Sequence, residues 1–355
     1  MIVITTPTGQ IGRQILENVL DRTADTAVRV IARDPARLSP RARERVAVVQ
    51  GSHDDAGVVK EAFAGADAVF WLVPPNPRAE SVQGHVLDFV QPLCEAINSN
   101  RVARVVAVSS LGRGVARNAG HISATFAMDD LIERTGVSYR SLCPPGFMEN
   151  TLRQVESIRT HGLYLSLSSP DRKLPICATR DIAAVAARLL LDESWSGQEQ
   201  VPLFGPEDLS GVEMAQIMTE LLERPVRFQQ VPAEEFRANL VRHGMTEAWA
   251  QGIVDLSTAV ERGIYQVDPG TPPVGHADHV PPVVRGGAQA RRSGLRSVNS
   301  CRSRANASGT EDDGFLCRVT GPAIHRTGPR GIGTGRQSVE GHPRLLAHTC
   351  RIRGA

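Results

Sequence analysis

The sequence predicts a doubly wound α/β fold, a parallel sheet covered by helices on both faces. A small α/β lobe and a disordered tail are expected to follow it. Three observations carry this expectation. Short β-rich runs are apolar throughout instead of alternating, as strands buried on both faces must be. Segments with apolar residues at helical spacing separate them, as parallel pairing requires. The first strand also breaks into a Gly-containing turn, Thr6-Pro7-Thr8-Gly9-Gln10-Ile11-Gly12, that opens a helix.

Taken in order, residues 2–5 read as the first strand, and Ile11, Ile15, Leu16, Val19 and Leu20 then share one helical face. Strands follow at 28–32, 46–49 and 68–73, then a helix over 80–98, a strand at 104–108, a helix over 122–134 and a strand at 137–142. Residues 1–150 therefore form the predicted nucleotide-binding domain, and 151–268 a smaller lobe with elements returning to the sheet. In that lobe a helix spans 179–191, with Thr179 as cap and Asp181 in its first turn. A strand at 200–204 is placed to rejoin the sheet. Helices are expected at 210–223, 233–243 and 246–262, with a strand at 226–231. The alternating run around Tyr164 marks it as a strand residue.

The chain has 355 residues and a formal charge of +2, an average over two unlike parts. From Thr271 onward there are 13 Arg, no Lys and 5 acidic residues, a net of +8. The first 270 residues hold the remaining 27 basic and 33 acidic residues, a net of −6, which does not suit a nucleic-acid binder. The stretch 269–355 is dense in Pro, Gly, Arg and Ser without periodicity, so it is expected to be disordered. Its abrupt change of composition also fits out-of-frame translation of a GC-rich gene. A basic arm for nucleic acid or membrane is the functional alternative. Six cysteines without a C-x-x-C pair suit a reducing cytosol, and no signal peptide, membrane span or metal site is expected.

The first turn suits a dinucleotide. Small residues let the backbone approach a pyrophosphate and let the helix pack on the strand with its N–H groups aimed at the anion. Gly9 and Gly12 supply the last two glycines of a G-x-x-G-x-x-G pattern. Thr6, in the first position, offers a hydroxyl and is expected to forgo positive φ. Thr8, Gln10 and Ile11 complete the cradle. Arg33 at the tip of the second strand, with Arg13 after Gly12, favours the 2′-phosphate of NADP, while Asp34 beside it keeps NAD possible. His53, Asp54 and Asp55 are placed to meet the adenine edge, and Leu72, Val73 and Pro74 to line the adenosine pocket.

The runs TTPTGQIG, VIARDP, VFWLVPP, VVAVSSLG and GVSYRSLCPPGFMEN resemble the NmrA-like, atypical branch of the short-chain dehydrogenase/reductase superfamily. The resemblance extends through TRDIAAVAARLL to PVRFQQVPAEEFRANLVRHGMTEAWAQGIVDL and ends where the composition breaks. It implies a Rossmann domain binding NAD(P) beside a small C-terminal lobe. It also implies either reduction of acceptors such as quinones and dyes, or sensing of NADP without turnover. Ser109 and Ser110 stand where the family places its serine, so Ser109 belongs to both the cofactor and the catalytic sets.

The superfamily's Tyr-x-x-x-Lys pair is absent. Only Tyr139, Tyr164 and Tyr265 occur, with Lys60 and Lys173, and Met128, Asp129 and Asp130 stand where some relatives keep a lysine. A free phenol titrates near ~10 and needs tuning to donate a proton at neutrality. His121, at the start of that helix, is the substitute proton carrier by residue type, alongside its reading as a solvated loop histidine. Met148-Glu149-Asn150 matches a family segment near the nicotinamide, whereas Cys143, Pro145 and Gly146 depart from the usual run before it. Cys143 reads as a buried apolar side chain. The expectation is a cytoplasmic, NADPH-preferring oxidoreductase acting on a small apolar or aromatic acceptor such as a quinone. The alternative is a non-catalytic NAD(P)-binding regulator of a partner protein.

Overall fold

The computed structural model describes residues 1–23, 25–115 and 118–266. The tail expectations for 269–355 lie outside the described residues. Seven strands form one parallel sheet in the order β3-β2-β1-β4-β5-β6-β10. They are β1 (Ile2–Ile4), β2 (Val28–Ala32), β3 (Ala47–Gln50), β4 (Ala68–Trp71), β5 (Arg104–Val108), β6 (Ser138–Cys143) and β10 (Gln198–Pro202). Strand order reverses between β1 and β4, the crevice where doubly wound sheets bind ligands.

Helices α1 (Gln10–Arg22), α2 (Pro40–Arg45), α3 (Ala56–Phe63), α4 (Val82–Asn100), α5 (His121–Arg134) and α7 (Thr179–Leu191) flank the sheet. Period-2 geometry divides each strand between the two faces. Ile2, Ile4, Ala68 and Phe70 join α1 and α7 in one core cluster, while Val3, Val69 and Trp71 join α3, α4 and α5 in the other. Both clusters are buried, which is why these strands read as unbroken apolar runs. The third predicted strand starts one residue later than expected, and the last sheet strand two residues earlier. That last strand does rejoin the sheet, pairing Gln198 with Tyr139 and Pro202 with Cys143. Arg140 on β6 stacks on Trp195, 4.4 Å from its ring centroid, and bonds Glu199 at 3.2 Å, so the sheet's last edge is pinned by side chains.

Helices α2 and α3 escaped the sequence reading. They are short, so periodicity had little chain in which to show. Local capping defines them instead: Ser39 and Asp55 accept from backbone N–H groups of the first turns. The predicted cap at Thr179 is corrected. Ala178 occupies the N-cap without a side-chain bond, because the Thr179 hydroxyl and N–H are both engaged by Glu149.

The lobe is built on β8 (Leu163–Ser166) and β11 (Arg227–Gln230), paired in parallel, with α6 (Val155–His161) and α8 (Gly211–Leu222) beside them. Two residues each of β7 (Gly146–Phe147) and β9 (Ile176–Cys177) form a second small pair. Tyr164 is a strand residue, its hydroxyl 3.6 Å from Met214 Sδ. Helices α9 (Ala233–Arg242) and α10 (Glu247–Glu261) complete the described chain, with α10 lying against α5 and α4. Among the described residues, no helix is long and apolar enough to cross a membrane.

A Cβ on Gly12 would lie 2.1 Å from Thr6 O and 2.7 Å from its carbonyl carbon, both backbone atoms that cannot step aside. Gly12→Ala is therefore expected to destabilise the fold by ~3 kcal/mol, the upper range for overpacking. Urea denaturation of the variant checks this.

Candidate functional site

Thr5, one residue past β1, ties the first turn to its neighbour. Its hydroxyl donates to Phe70 O at 3.1 Å and accepts from the Leu72 N–H at 3.3 Å. The ends of β1 and β4 are thus held together at the switch point. Thr6 then adopts φ +51°, a left-handed conformation unfavourable for a β-branched residue. The sequence expectation that Thr6 would forgo positive φ is corrected. The Gly9 N–H donates to Thr6 O at 3.0 Å, and Gly12 packs directly on that carbonyl, so tertiary contact overrides local preference.

Two features of this turn suit an anionic ligand. Thr6 Oγ1 is buried and has no hydrogen-bond partner among the described residues. Helix α1 starts from Gly9 with no side-chain cap and no acidic residue in its first turn, leaving orphan N–H groups at its positive end. Gly9 and Gln10 are exposed and Thr8 is half-buried, whereas Ile11 points into the core and can offer only its backbone. These residues fit a pyrophosphate held by the backbone.

At the tips of β2 and β3 the charged residues separate by role. Asp34 accepts from the Ala36 N–H at 3.0 Å and caps a short 3-10 turn, Pro35–Arg37. Asp55 caps α3 through the N–H groups of Gly57 and Val58. Arg33 and Asp54 remain exposed, and no hydrogen bond or ion pair from the Arg33 side chain occurs among the described residues. His53, expected at the adenine edge, is turned into the core. Its ring is buried against Trp71 and Phe89, centroids 5.0 and 4.6 Å away, and Nε2–H donates to Leu72 O at 3.0 Å. Burial pushes its pKa down to about 4.

Leu72, Val73 and Pro74 follow β4 as a half-buried loop. His85 Nε2–H donates to Pro74 O at 2.8 Å, and Thr246 at the head of α10 bonds Pro77 O and Ala79 O at 2.9 and 2.8 Å. The far end of the chain thereby fixes this loop.

Ser109 and Ser110 directly follow β5, and both are buried. Ser110 faces Tyr265, whose phenol is pushed up by burial. Ser109 Oγ donates to Asp129 Oδ2 at 2.5 Å, and Tyr139 Oη donates to Asp129 Oδ1 at 2.6 Å. Asp129 has no exposed surface, and burial pushes its pKa up to about 6 against the opposing effect of those donors and of Arg113. In the sequence Asp129 stands out only as one of the residues at a position where some relatives keep a lysine. A signal was available, since Asp129 interrupts the apolar stripe Ile122, Phe126, Ile132 on α5.

His121 is committed elsewhere. Its Nε2–H donates to Trp249 O at 3.0 Å and its ring lies 4.6 Å from the Trp249 ring, while burial lowers its pKa. The structure does not bring it to Ser109. Cys143 is buried, and burial pushes its thiol up to about 12, in keeping with a buried apolar side chain. Glu149 accepts from the Thr179 hydroxyl at 2.7 Å and from its N–H, and Gln14 Nε2 donates to the same hydroxyl at 3.0 Å. Thr179, at the start of α7, is therefore shared between Glu149 and Gln14 of α1.

A family model described as NAD(P)H-binding matches residues 7–193. A (4-alkanoyl-5-oxo-2,5-dihydrofuran-3-yl)methyl phosphate reductase of Streptomyces griseus is 30% identical over 252 residues, 68% of this chain and 80% of that protein. An NAD(P)H azoreductase of Xenophilus azovorans is 27% identical, over 72% of this chain and 86% of its own. The crystal structure of an NADPH-dependent quinone oxidoreductase from Escherichia coli, complexed with NADPH, superposes with a TM-score of 0.64 at 20% identity, covering 75% of this chain and 90% of that one.

Because the folded-state pKa of His53 lies below the ordinary 6.5, its neutral ring contributes stability that is complete above pH 6.5 and lost as pH falls through about 4. The stability difference between wild type and His53→Gln is expected to shrink by ~3 kcal/mol from neutral pH to below that value. Urea denaturation at the two pH values measures it.

Proposed function

The chain belongs to the NAD(P)H-binding family, and from that premise we propose that it is a cytoplasmic, NADPH-preferring oxidoreductase that delivers hydride to a small apolar or aromatic acceptor such as a quinone. The observation that carries the reading is the first turn, where an uncapped helix end and an orphaned Thr6 hydroxyl stand together. Bound NADPH would supply the hydride. The protein's part is to hold and orient. Gly9, Gln10, Ile11 and Gly12 present backbone to the pyrophosphate, with Thr6 and Thr8 adding hydroxyls. Arg33 takes the 2′-phosphate, and the engagement of Asp34 in its own cap leaves the arginine unopposed there. Asp54, Leu72, Val73 and Pro74 flank the adenosine. Ser109 and Ser110 meet the acceptor between residues 1–150 and the lobe over 151–268.

The relatives' names support this acceptor class. They describe reduction of an azo compound, an unsaturated lactone that carries a methyl phosphate, and a quinone; what these share is a conjugated acceptor. Such acceptors ask little of the protein beyond positioning and a proton, which suits a site whose α5 carries no Tyr-x-x-x-Lys. The alternative, an NAD(P)-binding regulator of a partner protein, parts from this reading at turnover.

Loss of reduced-nicotinamide absorbance across a panel of quinones, azo dyes and aldehydes is the test. Consumption of NADPH supports the enzyme, and tight binding without consumption across the panel supports the regulator. In titrations, Arg33→Ala is expected to weaken NADPH by ~1–3 kcal/mol and to leave NADH nearly unchanged. Equal losses for both nucleotides would overturn the role of Arg33.

A further inference from the structure

Asp129 is the least expected side chain in the core. It is fully buried, and among the described residues no ion pair reaches it. Removing a carboxyl from water is costly, and an apolar residue would continue the buried stripe of α5 at lower cost. Yet both of its oxygens are engaged at short range, one by Ser109 from the tip of β5 and one by Tyr139 from β6. Ser109 is thereby linked to a group that can hold a proton where water does not reach.

We propose that Asp129 is the positioning residue for proton delivery at Ser109. As a carboxyl, it donates from Oδ2 to Ser109 Oγ and turns the serine hydrogen outward to the acceptor. As a carboxylate, it draws that hydrogen inward and the serine presents only lone pairs. The inference rests on the hydride-transfer reading. There the acceptor gains two electrons with the hydride, NADPH being oxidised, and an oxygen or nitrogen of the acceptor takes the Ser109 proton. The Asp129 O–H bond breaks as a new O–H bond forms on Ser109. Water then reprotonates the carboxylate through Ser109 once product has left.

The surroundings leave Asp129 as the group that titrates. Tyr139 and Cys143, facing it from β6, are pushed upward by burial and stay protonated. Ser141, also on β6, turns its hydroxyl toward the carboxyl. Arg113, from the chain between β5 and α5, is the nearby cation, and it is bound to Asp130 and Glu133 on α5. With the carboxyl pushed up to about 6, both forms are populated near neutrality.

The test uses the full chain. With a quinone that the wild type reduces, kcat is expected to rise as pH falls through about 6. Asp129→Asn should lower kcat about 100-fold and abolish that break, with NADPH affinity within about twofold of wild type. Ser109→Ala retains the carboxyl and should abolish the same break, which covers an Asp129→Asn protein that does not fold. Without any acceptor, carbon NMR of protein labelled at its aspartate carboxyls should show a group titrating near 6. A carboxyl already ionised at pH ~4, the ordinary aspartate value, would overturn the proposal. An active wild type with unchanged kcat and profile in both variants overturns this inference alone. A wild type inert toward the whole panel overturns the oxidoreductase reading and this inference with it.

Discussion

The contact on which the rest of the site depends is the packing of Gly12 against the Thr6 carbonyl. With no side chain on Gly12, the first turn of α1 lies directly on backbone at the end of β1. That closeness aims the uncapped N–H groups of α1 into the crevice between β1 and β4. It also holds Thr6 at positive φ, with its hydroxyl buried and, among the described residues, unpartnered. The local conformational cost, ~1–2 kcal/mol for such a residue, is outweighed by the packing of a helix whose Ile11, Ile15, Leu16, Val19 and Leu20 all enter the core. Helix position and turn conformation are one feature seen at two scales.

From that point the site is assembled by long-range ties. Thr5 joins β1 to β4, Thr246 fastens the loop after β4, and His121 and Trp249 lock the start of α5 to α10. The lobe is therefore part of the site's construction. Elements more than 160 residues apart in the chain meet at the 72–81 loop, as in the hydroxyl bond from Thr246 to Ala79. Rigid placement of this kind suits chemistry in which the cofactor carries the reactive group and the protein supplies orientation.

Much of this was legible beforehand. Apolar runs such as Ile2–Ile4 and Ala68–Trp71 announce strands buried on both faces, and the spacing from Ile11 to Leu20 announces a helix. The glycine turn was readable because close approach demands glycine at fixed offsets. Short helices were not, since α2 and α3 are defined by caps at Ser39 and Asp55 more than by period. Roles that depend on which way a side chain turns were also out of reach. His53 and Asp54 are neighbours, yet one is core and the other surface.

The sequence by itself determined the order of the main-sheet strands and of the longer helices, the place of the first turn and the cofactor class it suits. These follow from periodicity and from steric demands that act over a few residues. Tertiary structure alone decided that Thr6 would be held left-handed, that Thr179 would answer to Glu149 instead of capping its helix, and that Asp129 would stand behind Ser109. The physical reason is common to all three. A side chain's partner and its access to water are set by segments distant in the chain, and only packing brings those segments together.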